Sequence, residues 1–245
     1  MRASMLALTC ALAGVAVAPV RPAVLAQGTG TIRGRITVEA NRFINPPIRM
    51  GADPACAAQQ PGRPTYEFVV RAADGGLANA FVALKGQYPA VDTPPPIVRL
   101  EQRNCVYRPH VIGLRVGQTL EVVNADPTAH NVHALSQHGN AFNITQPRGA
   151  EPFRFTAQAE ELMLRVTCDT HSWMNIYVGV VSHPYFAVTQ ADGMFELRTV
   201  PPGTHRIVVW HERFGPLEAD VRLEAGQTAT VNFRYTGNET PAAPQ

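Results

Sequence analysis

The seven residues Cys168-Asp169-Thr170-His171-Ser172-Trp173-Met174 carry a thiol, an imidazole and a thioether. All three bind soft or borderline metal ions. A second imidazole lies upstream in Pro127-Thr128-Ala129-His130-Asn131-Val132. Two imidazoles and a thiolate in a near-trigonal plane, with a weak axial thioether, form a mononuclear site that suits both Cu(I) and Cu(II). Sulfur favours the reduced ion, imidazole accepts both, and the geometry changes little between them. The pattern predicts one copper ion bound by His130, Cys168, His171 and Met174, with one-electron chemistry.

Other readings are weighed beside it. Zinc also takes Cys and His, but Met is a poor zinc ligand, and a structural zinc site brings four Cys/His ligands at paired spacings. Either Cys168 or Met174 alone would read as a buried core residue; the joint spacing favours metal. Trp173 reads either as an aromatic closing the loop or as an apolar docking surface around an exposed edge of His171, where an electron could leave. His110, His138, His183, His205 and His211 are scattered and read as surface or structural residues; a second copper site from His133 and His138 is a weak alternative. Asp169 and Thr170 lack the neighbours that acid–base catalysis needs. There is no Ser-His-Asp constellation with a recognisable elbow and no phosphate-binding loop or dinucleotide fingerprint. A four-donor site leaves no open position for a substrate, and the several His-x-His pairs of a multicopper oxidase are absent, so the chain is not read as an enzyme.

The loop must be held by strands. Residues 161–167 and 176–181 are rich in apolar and β-branched side chains and flank it on either side. Cys168 is therefore expected at a strand end, His171 on the loop and Met174 at the next strand's start, with His130 on a different loop after a strand at 119–123. Further strands are expected at 31–38, 67–71, 80–85, 111–116, 153–155, 185–189, 194–198, 204–210, 217–223 and 228–235. Helical periodicity is hard to find, residues 41–65 read as irregular, and 236–245 as a disordered tail. Short β-rich runs between Gly, Pro, Asn and Asp clusters predict an all-β chain of sandwiches.

Residues 1–26 read as a secretory signal: Arg2, an apolar run from Met5 to Val17, and a small-residue cleavage site at Val24-Leu25-Ala26. No stretch approaches the roughly 20 apolar residues of a membrane span. The chain carries 21 Lys and Arg against 19 Asp and Glu. Removing Arg2 and Arg21 brings the remaining chain near neutrality, which argues against nucleic acid or an anionic membrane as the main partner. Cys10 leaves with the signal. With Cys168 on the metal, Cys56 and Cys105 remain as a candidate disulfide in an oxidising compartment.

From about Asn104 to Val181 the chain resembles the cupredoxins, the amicyanins most closely. Gly117-Gln118-Thr119 before a strand, then Asn124, then His130-Asn131-Val132-His133, follows their order, and Cys168-x-x-His171-x-x-Met174 matches their short ligand loop. The resemblance implies a Greek-key β-sandwich with His130, Cys168 and His171 as equatorial ligands, Met174 axial, and periplasmic electron transfer. It favours His130 over His133, and it puts Asn131 where a residue ties the two ligand loops together. Ser172 stands where amicyanins have proline, and Ala159-Glu160-Glu161-Leu162-Met163 replaces their usual Gly and Tyr.

A second resemblance flanks the first. Asp192-Gly193-Met194-Phe195-Glu196-Leu197 and Val200-Pro201-Pro202-Gly203-Thr204 resemble the second half of a carboxypeptidase-regulatory-like, transthyretin-like sandwich. Its first half is found at Gly30-Thr31-Ile32-Arg33-Gly34-Arg35-Ile36 and Gly75-Gly76-Leu77-Ala78-Asn79-Ala80. The expectation is a cupredoxin at 96–184 inserted into an accessory sandwich made of 28–95 and 185–235. The expected function is a periplasmic or secreted blue copper protein that carries single electrons between redox partners of the cytochrome or dehydrogenase class. A copper-handling protein without electron-transfer duty, and a non-catalytic envelope module, are the alternatives.

Overall fold

A computed structural model of the chain describes residues 28–39, 43–51, 53–60, 62, 64–89 and 94–239. The expected signal segment at 1–26 lies outside them. Of the expected disordered tail only 236–239 is described, and there Glu239 accepts the backbone amides of Thr236 and Gly237.

In chain order the elements are β1 (Gly30–Val38), α1 (Pro54–Gln59), β2 (Phe81–Lys85), β3 (Val98–Arg103), β4 (Val106–Arg108), β5 (Val111–Arg115) and β6 (Thr119–Asn124). There follow β7 (His130–Ala134), β8 (Phe142–Gln146), β9 (Phe153–Thr156), β10 (Glu161–Thr167), β11 (Asn175–Val181) and β12 (Phe186–Val188). The last are β13 (Met194–Val200), β14 (Gly203–His211), β15 (Gly215–Leu223), β16 (Thr228–Thr230) and β17 (Phe233–Tyr235).

The chain is all-β, built as two sandwiches. One sandwich packs the sheet β13-β1-β16, with β17 also on β1, against the sheet β12-β2-β14-β15. Ile32, Ile36 and Phe195 of the first meet Val82, Leu84 and Ile207 of the second. The other sandwich packs β5-β11-β10-β7-β8 against β4-β3-β6-β9, with Val132, Val166 and Ile176 facing Leu100, Leu120 and Val122. All nine strands of this second sandwich fall between β2 and β12 in the sequence.

Side chains alternate across a strand. The opposite faces of β2, β11 and β14 are also buried, because the two sandwiches dock there. Phe81, Ala83, Val208 and Trp210 on one side meet Val111, Met163 and Val181 on the other. Two-sided burial explains the unbroken apolar runs Phe81-Val82-Ala83-Leu84 and Ile207-Val208-Val209-Trp210. Gly113 and Gly179 are cross-strand partners at this junction. A Cβ on Gly179 would stand 2.5 Å from Cζ of Phe81, and one on Gly113 would stand 2.4 Å from Cε2 of Phe186. The glycine pair is the slot that admits two aromatic rings.

Some expectations are corrected. Residues 67–71 form no strand; only Arg71 makes an isolated bridge, to Leu77. The expected strand 228–235 is split into β16 and β17, both parallel to β1. Strands β3, β4, β7 and β8 are not among the expected ones. His130, expected on a loop, is the first residue of β7. The irregular segment before residue 65 holds α1, and its Ile48, Met50 and Cys56 pack into the core of the second sandwich. Asp53-Pro54 is a helix-start signal: the Asp53 side chain accepts from the amides of Ala55 and Cys56, and Pro54 opens the helix.

Gly179→Ala is expected to lower unfolding free energy by about 1–3 kcal/mol through overpacking against Phe81. Chemical denaturation measures this, and an unchanged midpoint and slope would contradict the slot.

Candidate metal centre

The antiparallel pairing of β7 with β10, Thr167 opposite His133, brings the start of β7 beside the end of β10. Cys168 follows β10 directly. The Cys168 amide donates to the Met174 carbonyl at 3.0 Å, and the Met174 amide to the His171 carbonyl at 2.9 Å. These bonds close residues 168–174 into a tight loop leading into β11. Asn131 fixes it from the side: its Oδ1 accepts from the Asp169 amide at 3.0 Å, and its own amide donates to Cys168 Sγ at 3.4 Å. The Tyr107 hydroxyl donates to the carbonyls of Asn131 and Thr167, one on each of the two joined strands.

Three ligand-type atoms converge here. His130 Nδ1 and His171 Nδ1 are 3.0 Å apart, and Cys168 Sγ is 3.6 Å from His171 Nδ1. His130, Cys168 and His171 are 1 %, 3 % and 2 % exposed. Met174 is buried on the same loop, in the core that holds Cys168. The other nitrogen of each ring is taken by a carboxylate. His130 Nε2 donates to Asp126 Oδ2 at 2.8 Å, and His171 Nε2 to Asp53 Oδ2 at 2.8 Å. A carboxylate on Nε2 holds a ring in one orientation, so Nδ1 is the face offered to Cys168.

The electrostatics follow from this packing. Burial alone would raise the Cys168 thiol. A hydrogen bond with His130 and the amides of Asn131, His171 and Thr170 outweigh it and pull the thiol down to about 6. Burial likewise opposes an imidazolium at His130, but Asp126 and the Cys168 sulfur push it up to about 9. Asp53 is held below its usual range by His171 first and the Cys56 amide second. Asp126 is lowered despite its burial by His130 and the amides of Cys105 and Asn104. Both shifts run in the direction that favours a thiolate beside a protonated imidazole. Two nitrogens and a sulfur face a space that suits one proton, and a soft or borderline cation fits that donor set in the proton's place.

Several expectations meet the geometry. Cys168, His171, His130 and Asn131 are brought together, and Cys56 and Cys105 are joined in a disulfide. His133 turns to the surface and pairs with Asp169 at 2.9 Å, which gives Asp169 a neighbour that the sequence reading denied it. Neither His133 nor His138 belongs to any of the His/Cys/carboxylate clusters among the described residues. The reading of Trp173 as a docking surface around an exposed His171 edge is corrected. His171 is buried and its outer nitrogen is covered by Asp53. Trp173 is half-buried, 5.0 Å from the His171 ring between centroids, and its indole donates to the Cys105 carbonyl. It closes the loop.

Sequence reasoning missed Asp53, Asp126 and Tyr107. The turn signal Asn124-Ala125-Asp126-Pro127, four residues before His130, could have pointed to Asp126. Nothing local could have joined Asp53 to a histidine 118 residues away.

The fold and site define a two-sandwich β protein with a buried His-Cys-His cluster at one end of the second sandwich. Residues 175–236 match the carboxypeptidase regulatory-like domain family. No curated protein matches the chain. Among solved structures it is similar to a Cu-containing nitrite reductase (NirK) from Thermus scotoductus SA-01, with 22 % identity, a TM-score of 0.33 and coverage of 38 % of this chain and 25 % of that one. It is similar to a mutant of amicyanin in its Cu(I) form, with 16 % identity, a TM-score of 0.31 and coverage of 40 % and 97 %. It is also similar to a purple cupredoxin from Nitrosopumilus maritimus, with 20 % identity, a TM-score of 0.30 and coverage of 34 % and 98 %. The chain thus spans a quarter of the reductase's length.

In the metal-free protein the ultraviolet thiolate absorbance of Cys168 should appear as pH rises through about 6, well below the ordinary thiol value of 9.0. His130→Ala removes a favourable partner and should move that midpoint upward. A midpoint at or above the ordinary value in the native chain would contradict the ion-pair description.

Proposed function

We propose that the protein is an exported type 1, or blue, copper protein that carries single electrons between periplasmic redox proteins of the cytochrome or dehydrogenase class. His130, Cys168, His171 and Met174 would hold the ion. The observation that carries this reading is the convergence of two Nδ1 atoms and one thiolate in a buried pocket, each imidazole turned by a carboxylate on its far side. Copper, when bound, supplies a one-electron couple. The chain's own residues do the rest. The Asn131 amide supports negative charge on the sulfur, Asp53 and Asp126 orient the imidazoles, and the surrounding core keeps water out.

Burial of the cluster favours an electron carrier over a copper-handling protein. Electrons can cross a protein shell, whereas an ion passed to a partner needs accessible ligands, and these three are at most 3 % exposed. Four protein donors also leave no open position for a substrate, which argues against an enzyme. For the domains, we propose a cupredoxin at 96–184 set into an accessory sandwich of 28–95 and 185–235. The pairing of β1 with β13, β16 and β17, and of β2 with β12 and β14, supports it. The segment carrying α1 then reaches from the accessory half onto the metal-binding end.

Cys168→Ser should abolish the visible thiolate–copper absorption while far-ultraviolet circular dichroism stays unchanged; a blue band surviving in this variant would refute the ligand assignment. Met174→Leu should retain copper and raise the reduction potential, because a weak donor to the oxidised ion is lost. Voltammetry reads the shift, and a lower potential would contradict an axial role.

A further inference from the structure

One of the two carboxylate–imidazole contacts at the centre is supplied from far away in the chain. Asp126 stands four residues before His130 and belongs to the same sandwich. Asp53 comes from the segment that precedes β2. It divides its two oxygens: Oδ1 accepts from the amides of Ala55 and Cys56 at 2.8 and 3.1 Å, and Oδ2 accepts from His171 Nε2 at 2.8 Å. The helix it starts is bonded to the second sandwich through the Cys56–Cys105 disulfide, and Cys56 Sγ itself lies 3.7 Å from His171 Nε2. The other half of the disulfide reaches the other histidine. The Cys105 amide donates to Asp126 Oδ2 at 2.8 Å, the same oxygen that receives His130 Nε2–H. One covalent bridge therefore braces both carboxylates, one for each imidazole. Ile48 and Met50 in the core and a bond from the Gln60 amide group to the Asn104 carbonyl at 3.1 Å anchor the rest of the segment.

We propose that Asp53 is a positioning residue for His171 and that the Cys56–Cys105 disulfide locks it in place, so that the α1 segment is a fixed cap that orients this imidazole and seals its outer edge. The consequence for a loaded site rests on the copper reading; the orientation and sealing do not. Asp53 fixes the Nε2–H tautomer and leaves Nδ1 free to face Cys168. Without the cap, the outer edge of His171 lies open to solvent, and the ring can turn its other nitrogen inward. Carboxylate partners of metal-ligating imidazoles are worth about 10–100-fold in metal affinity, which sets the size of effect expected here.

The test uses the full exported chain and the variants Asp53→Ala, Asp53→Asn and the double variant Cys56→Ala/Cys105→Ala. In metal-free protein, nitrogen-15 NMR of the His171 ring and the rate of Cys168 alkylation by iodoacetamide are measured. In copper-loaded protein, copper loss to a Cu(I) chelator is followed under reduction. The native chain should show a protected Nε2–H on His171 and slow alkylation. Asp53→Ala and the disulfide-free variant should lose that signal, alkylate faster, and hold copper about 10–100-fold less tightly. Asp53→Asn keeps an acceptor for Nε2–H and should restore the tautomer signal. A native-like Nε2–H signal and alkylation rate in Asp53→Ala would overturn the proposal even where the native protein binds copper with a visible band. Should the native chain give no such band, the copper reading falls, and the metal-free measurements still decide the cap. If the double variant does not fold, the two Asp53 variants carry the test alone.

Discussion

A thiolate and two imidazoles buried against one another are costly unless every proton and lone pair has a partner. The end of the second sandwich that carries this cluster is organised around meeting that condition. Cys168 Sγ receives the Asn131 amide, His130 leans on Asp126, His171 leans on Asp53, and the two Nδ1 atoms meet at 3.0 Å. The inner atoms of all three side chains meet one another there. The same condition explains the surrounding architecture. β7 must pair with β10 so that His130 reaches the loop, Asn131 must bond across to Asp169, and a segment from the other side of the sequence must bring Asp53.

The second sandwich supplies this geometry, and the first holds it steady. Their junction is an apolar seam in which Phe81 and Phe186 occupy the space left by Gly179 and Gly113. The α1 segment crosses from the chain that builds the first sandwich onto the His-Cys-His end of the second, and the Cys56–Cys105 bridge ties it there. The accessory sandwich is thus joined to the site at two places, through a packed sheet face and through a covalent cap. One of the two readings of Trp173 from sequence places it around an exposed edge of His171. In this chain that edge is buried and spent on Asp53.

Much of this was legible in the sequence because the informative residues are local. Cys168, His171 and Met174 share one loop, and alternating or continuous apolar runs marked most of the strands. Strands were missed where polar residues face inward. In β3, Gln102 is buried and bonded to Gln146 at 2.6 Å, so an inward position reads as surface. In β7, two histidines and an asparagine hide a strand whose polar side chains are all partnered. Residues 67–71 erred the other way: a suitable strand composition has no neighbouring strand to pair with beyond Arg71. The cap was illegible for a different reason. Asp53-Pro54 announces a helix start, but no local pattern says that the free carboxylate oxygen will meet a histidine in the other half of the chain.

The most direct test of the central claim is the visible and electron paramagnetic resonance spectrum of the native chain loaded with Cu(II), then reduced with ascorbate and reoxidised in air. The account predicts an intense thiolate-to-copper absorption with the narrow hyperfine splitting of a thiolate-bound ion, lost on reduction and recovered on reoxidation with one electron per chain. A colourless protein, or one that takes zinc in preference and leaves copper loosely bound, would contradict it.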